Sequence, residues 1–199
     1  MKIGIIGVGY IGGLLAAKLT AADYRVELSN SRGSNSLEPL VKEIGSLATA
    51  VTTAEAVKND IIILAVKWES VATVITEYRT ELEGKILIDV TNPILKDGSY
   101  EKFDGNSASE IIAAILPETK VVKAFNSLVG SWIEGDPQVG SGRKVVLVSG
   151  DHPESNATVS QIIEKLGFFP LELGRLHIGG LVQQAGKPLA AVNLIRVPG

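Results

Sequence analysis

The sequence predicts an α/β fold built on a doubly wound, mainly parallel sheet, and three observations predict it. Short β-branched runs alternate with helical patterns along the 199 residues, the arrangement of βαβ units whose strands are buried on both faces. An apolar run, Ile3 to Ile6, passes straight into a glycine-rich turn, which passes into an amphipathic stretch reaching Leu19. A hydrophobic content of 45% with no cysteine allows a continuous core without cross-links.

Each element follows from its local pattern. Strands are expected near 2–6, 25–29, 47–51, 60–65, 85–90, 121–125, 145–149 and 168–172, where β-branched residues concentrate. Helices are expected at 11–22, 36–44, 53–58, 69–78, 107–116 and 153–166. Asp151-His152-Pro153 and Ser107-Ala108-Ser109-Glu110 supply capping and first-turn chemistry for the last two. Two stretches, Lys96 to Asn106 and Gly130 to Arg143, turn polar and glycine-containing and read as long connections beyond strand ends. The whole chain, 1–199, reads as a single NAD(P)-binding domain of Rossmann type. Residues 175–199 form a C-terminal extension whose apolar tail, Leu189 to Val197, is expected as a helix at a subunit contact.

The turn Gly7-Val8-Gly9-Tyr10-Ile11-Gly12 carries the chemistry. In G-x-G-x-x-G the first glycine permits the tight turn and the second lets the backbone approach a pyrophosphate. The third lets the helix pack on the strand, and the helix N-terminus then faces the phosphates. The alternative is a structural βα turn without ligand.

The end of the second strand discriminates between dinucleotides. Glu27 is bracketed by Val26 and Leu28 and so lies inside that strand, whose end is expected at Ser29-Asn30-Ser31-Arg32-Gly33. Hydroxyl, amide and guanidinium without a carboxylate suit a 2′-phosphate through charge-assisted hydrogen bonds. NADP(H) is the expected cofactor; the alternative is a polar turn with a solvated Arg32.

Several function classes are excluded. A net charge of −3 with no Lys/Arg cluster argues against nucleic acid. No apolar run approaches the roughly 18 residues that span a bilayer, so no membrane is expected. The glycine turn interrupts the only N-terminal apolar segment, so it is no signal peptide. The absence of cysteine fits a cytoplasmic location and removes thiolate chemistry. His152 and His177 are distant in sequence and offer no metal-ligand spacing, so no metal is expected. Asp89 reads as a buried strand-end residue bracing a loop rather than as a base.

The chain resembles the NADPH-dependent oxidoreductases of the deazaflavin coenzyme F420, and is similar to the cytosolic reductase domain of the six-transmembrane metalloreductases. The resemblance rests on Gly7 to Gly12, Asn30-Ser31-Arg32, Ala65-Val66-Lys67-Trp68, Ile88-Asp89-Val90-Thr91-Asn92-Pro93 and Val121-Val122-Lys123-Ala124-Phe125-Asn126-Ser127. It implies that Ser31 and Arg32 hold the 2′-phosphate, and that Val66, Lys67 and Trp68 cover the nicotinamide ribose. Trp68 could equally be helix-start packing. Asn92 is placed to hydrogen-bond the carboxamide or ribose while Pro93 fixes the loop, unless the pair only initiates a turn. Asn126, Ser127 and Leu128 fall where the deazaflavin enzymes set a histidine and an apolar residue against their substrate. Here that histidine position is Asn126, which fits the metalloreductase-like branch better; a capping role is the alternative.

The expected activity is hydride transfer between NADP(H) and a small-molecule flavin-type acceptor, F420 or FMN/FAD, by cofactor positioning and without a certain catalytic residue. A homodimer closed by the C-terminal tail is expected. The rival readings are an NADP(H)-binding redox sensor without turnover and a flavin-mediated ferric reductase.

Overall fold

A computed structural model describes residues 2–198. The β-branched runs form a ten-stranded sheet in which eight strands, among them β8 (Gly142–Gly150) and β10 (Ile195–Arg196), follow the order β10-β8-β6-β5-β4-β1-β2-β3 and two more pair with β8. The strands that carry the first half are β1 (Lys2–Ile6), β2 (Arg25–Ser29), β3 (Ala48–Ala50), β4 (Ile61–Leu64), β5 (Ile86–Asp89) and β6 (Lys120–Ala124), all parallel. The chain starts in the middle at β1, moves outward through β2 and β3, then returns to the other side of β1 for β4. That reversal opens a crevice beyond the carboxyl ends of β1 and β4, where doubly wound sheets bind ligands.

Alternate side chains of the central strands feed two cores. Ile3, Ile5, Ile61 and Ile63 join Leu15 and Leu19 of α1 (Tyr10–Ala21) and Val159, Ile162 and Ile163 of α8 (Pro153–Lys165) on one face. Ile6, Ile62 and Leu64 join Val71 and Ile75 of α4 (Trp68–Glu77), Leu82 of α5 (Arg79–Leu82) and Ile112 of α6 (Ala108–Ile115) on the other. This two-sided burial is why the strands read as nearly unbroken apolar runs. The remaining helices on the way are α2 (Glu38–Ile44) and α3 (Thr53–Ala56). Thr52 and Ser107 start α3 and α6 with full capping boxes, closed by Glu55 and Glu110, which satisfies orphan N–H groups at the N-terminus of each helix.

The C-terminal third departs most from the sequence expectation. The strand expected at 145–149 is the longer β8 (Gly142–Gly150), antiparallel to β6. It also carries β7 (Gln138–Val139) and β9 (Phe169–Glu172). The connection at 130–143 contains α7 (Gly130–Glu134), and a π-helical turn, Leu176–Gly180, leads into α9 (Leu181–Gln183). Leu189 to Val197 is not a helix: after a turn it ends in β10 (Ile195–Arg196), antiparallel to β8. Arg196 and Arg143 both lie over the Phe169 ring, 5.7 and 5.5 Å from its centroid. Sheet pairing and these cation–π contacts hold the tail extended.

Candidate functional site

The turn between β1 and α1 meets the steric demands its glycines imply. Gly7 has φ +93°, and a Cβ there would sit 2.7 Å from the backbone of Ala65 and Val66. A Cβ on Gly12 would lie 2.1 Å from the Gly7 carbonyl oxygen. Gly9 is different: a Cβ there would meet nothing within 4 Å. It is the N-cap of α1 and contributes no side-chain cap, so the first-turn N–H groups have no acceptor from within the helix. An open cradle before unsatisfied donors at the positive end of a twelve-residue helix fits a pyrophosphate. Val8 is buried, Ile11 turns toward the crevice, and the exposed Tyr10 lays its ring against Gly130.

The end of β2 lies beside this turn, because Ile6 pairs with Ser29 and the Gly7 N–H donates to the Ser29 carbonyl at 2.9 Å. Asn30 Oδ1 accepts from the Arg32 N–H at 2.9 Å and from Ser36 Oγ at 3.2 Å. This Asx turn fixes the backbone that presents the exposed Ser31 and Arg32. Among the described residues Arg32 has no ion-pair partner. Glu27 lies within β2, paired with Lys2 at 2.8 Å and accepting from Asn59 Nδ2 at 2.7 Å.

A cleft of about 640 Å³ opens beyond β1, β4 and β5. Ile11, Val66, Lys67, Trp68, Asn92 and Leu95 are among its lining. Trp68 stands at the first position of α4, edge-on to Phe103 at 5.5 Å, and its indole N–H donates to Glu101. The indole thus both walls the cleft and pins the connection at 96–106. That connection is a small hairpin, bridged at Ile94 and Tyr100 and tied to α4 by Lys96 and Glu69 at 3.6 Å. Pro93 is buried, and its carbonyl accepts from the Glu101 N–H at 2.9 Å.

Behind the cleft lies a buried polar cluster that sequence reading only partly anticipated. Asp89 and Lys123, both wholly buried, form an ion pair at 2.9 Å. Asp89 also accepts from Ser109 Oγ at 2.6 Å and from the N–H and Oγ1 of Thr91 at 2.9 and 2.6 Å. Burial alone would raise the Asp89 pKa. The Lys123 ammonium and the hydrogen bonds from Ser109, Thr91 and Lys123 outweigh it and hold the carboxyl below the usual range. The reading of Asp89 as a brace holds; its partner on the next strand was missed because cross-strand register is invisible along the chain. The parallel pairing Asp89↔Lys123 creates it.

Asn92 donates to the Asn126 carbonyl at 2.7 Å and accepts from Asn126 Nδ2 at 3.2 Å and from the Ala185 N–H at 2.9 Å. Its oxygen is therefore saturated, and one Nδ2 hydrogen is left for a ligand. Asn126 also donates to the Gln183 carbonyl at 2.9 Å, while its own Oδ1 is buried without a partner. Asn126, Ser127 and Leu128 are all buried, and none lines the cleft; Asn126 reaches it only through Asn92. The preceding Phe125 has φ +62°, a left-handed conformation that is costly for an aromatic residue and concentrated at functional sites. His152 stands at the N-cap position of α8 without a side-chain capping bond, His177 lies exposed in the π-helical turn, and neither lines the cleft. Among the described residues no group of three His, Cys, Asp or Glu side chains could hold a metal ion. No helix among them is long and apolar enough to cross a membrane.

Fold and cleft together define a dinucleotide-binding oxidoreductase of Rossmann type. The family described as NADP oxidoreductase, coenzyme F420-dependent, matches residues 2–93. The chain is 37% identical to a hypothetical protein from Sinorhizobium meliloti, whose structure superposes with a TM-score of 0.92 over 98% of this chain and 96% of that one. It is 27% identical to the F420-dependent NADP reductase of Methanothermobacter thermautotrophicus, over 98% of this chain and 90% of that one. It is 31% identical to the rat metalloreductase STEAP3 over 88% of this chain, yet it spans only 34% of that protein's length. The family model covers just under half of the chain, and together with these likenesses it supports an NADP-dependent oxidoreductase.

Proposed function

We propose that the protein transfers hydride between NADP(H) and a flavin or deazaflavin acceptor of the F420 type. The observation that carries this reading is the adjacency of two features: the open Gly9 cradle stands at the start of the helix turn whose Ile11 lines the 640 Å³ cleft beside Asn92, a cleft within the size range of small-molecule sites. In this reading Gly7, Gly9 and Gly12 seat the pyrophosphate, Ser31 and Arg32 take the 2′-phosphate, and Val66, Lys67 and Trp68 flank the nicotinamide half. Bound NADPH supplies the hydride. The chain supplies position: Trp68 and Leu95 exclude water, and the spare Nδ2 hydrogen of Asn92 orients a carbonyl or hydroxyl. The lining of the cleft includes no histidine, which suits a reaction whose rate rests on ring alignment rather than on an acid–base pair.

Homodimer formation at the C-terminal tail belongs to the same proposal. It is supported by the exposed Val192 and Val197, which would gain cover at such a contact.

Stopped-flow mixing of the NADPH-loaded protein with F420, FMN, FAD and riboflavin tests the activity. Oxidation of NADPH with at least one of these acceptors is expected. Tight NADPH binding without oxidation by any of them would sink the reading in favour of a sensor.

A further inference from the structure

A second cavity, about 630 Å³, lies between the 96–106 hairpin and the segment around α9, lined by Tyr100, Lys102, Phe103, Gln184, Ala185 and Lys187 among others. It is one hydrogen bond away from the first. Asn92 lines the cleft, Ala185 lines this cavity, and the Ala185 N–H to Asn92 Oδ1 bond of 2.9 Å joins their walls.

Its donors are of one kind. Gln184 is only 4% exposed, and its Oε1 accepts from the Ala108 N–H at 2.9 Å, which fixes the orientation of the amide. Its Nε2 is left without a protein acceptor, yet it is not among the fully enclosed orphans, so it opens on the cavity that Gln184 lines. Lys102 and Lys187 stand exposed at the rim, with no ion-pair partner among the described residues. Of the two lining carboxylates, Glu101 is engaged by the Trp68 indole and Asp104 lies exposed. The opposite wall is apolar and held in place. The Tyr100 ring rests on Gly186, where φ is +80° and a Cβ would come within 2.7 Å of the ring.

We propose that this cavity seats the anionic end of the hydride acceptor, a phosphate or carboxylate on a flexible tail. Gln184 acts as the fixed donor, Lys102 and Lys187 as counter-charges, and Tyr100 packs against the tail. The inference rests on the hydride-transfer reading for the ring itself. It adds that acceptors with an anionic tail are preferred over the same ring without one, because an oriented buried donor with two free ammonium groups pairs with an anion at little reorganisation cost.

The test compares FMN with riboflavin, which differ by one phosphate, as ligands of NADP⁺-saturated protein, read by quenching of flavin fluorescence. FMN is expected to bind roughly tenfold tighter, the worth of one charge-assisted hydrogen bond. The exposed double variant Lys102→Ala/Lys187→Ala should bring the two flavins within about twofold of each other while leaving riboflavin unchanged. Equal binding by the wild type, an undiminished preference in the double variant, or no binding of either flavin would overturn the proposal. NADPH oxidation separates the two readings. FMN-selective binding with no oxidation by any acceptor defeats the hydride reading alone. Turnover of F420 by a protein that binds the two flavins equally defeats the anion seat alone.

Discussion

Asn92 and Asn126 exchange hydrogen bonds across the ends of β5 and β6. The Asn92 amide donates to the Asn126 carbonyl at 2.7 Å, and the Asn126 amide donates back to Asn92 Oδ1 at 3.2 Å. Both also grip the C-terminal segment, Asn92 through the Ala185 N–H and Asn126 through the Gln183 carbonyl. The pair therefore couples the floor of the cleft to a stretch of chain roughly ninety residues further on. Replacing Asn92 by Ala removes partners from the Ala185 N–H and the Asn126 carbonyl together. A cost of about 1–3 kcal/mol is expected, the usual penalty for orphaned buried groups. Amide exchange at Ala185 should accelerate at least tenfold while exchange within β1 and β4 is unaffected; unchanged protection at Ala185 would contradict the coupling.

The Asp89–Lys123 pair predicts both a magnitude and a pH dependence. Removing one charge from a wholly buried pair strands the other, at a cost of about 3–5 kcal/mol, so Lys123→Met and Asp89→Asn should each lower the urea midpoint steeply at neutral pH. The folded pKa of Asp89 lies below its unfolded value. Its contribution is therefore complete above the ordinary carboxylate range near ~4 and is lost as pH falls through the folded pKa. Between those limits the stability of the wild type should fall faster with acid than that of Asp89→Asn. Parallel acid limbs in the two proteins would show that Asp89 is not the linked group.

Much of this architecture was legible in the sequence, and the parts that were not share a cause. The β1–α1 turn declared itself because its glycines are demanded by contacts within a short segment. Gly12 against the Gly7 carbonyl is a matter of five residues. Glu27 was correctly set inside β2 because alternation is local. The strand at Ile195–Arg196 was hidden because nothing in an apolar tail says that β8 will pair with it. Lys123 and the interlocked asparagines were hidden for the same reason, since register between distant strands decides which side chains meet. The role of Trp68 stayed open in sequence because its partners, Phe103 and Glu101, arrive from a hairpin thirty or more residues on.

The glycine turn separates folding from binding. Gly12→Ala drives a Cβ to 2.1 Å from a backbone oxygen that cannot swing aside, and a loss of about 1–3 kcal/mol is expected from the forced shift. Gly9→Ala meets open space in the protein, so its melting temperature without cofactor should match the wild type within about 2 °C. Its methyl group occupies the cradle instead, and NADPH should no longer raise its melting temperature as it does for the wild type. Undiminished thermal protection by NADPH in Gly9→Ala would place the pyrophosphate elsewhere.

Arg32 tests the choice of dinucleotide. Its guanidinium is exposed and unpaired among the described residues, at the end of an Asx turn anchored by Asn30. A charge-assisted hydrogen bond contributes about 1.5–3 kcal/mol. Arg32→Ala should therefore weaken NADPH binding roughly ten- to a hundredfold and leave NADH, which lacks that phosphate, unchanged. Raising the salt concentration should narrow the wild-type preference in the same direction, since an exposed ion pair is screened. Isothermal titration of both cofactors against both proteins measures all four affinities. If the wild type binds NADH as tightly as NADPH, or Arg32→Ala loses both alike, the residue has no part in reading the phosphate.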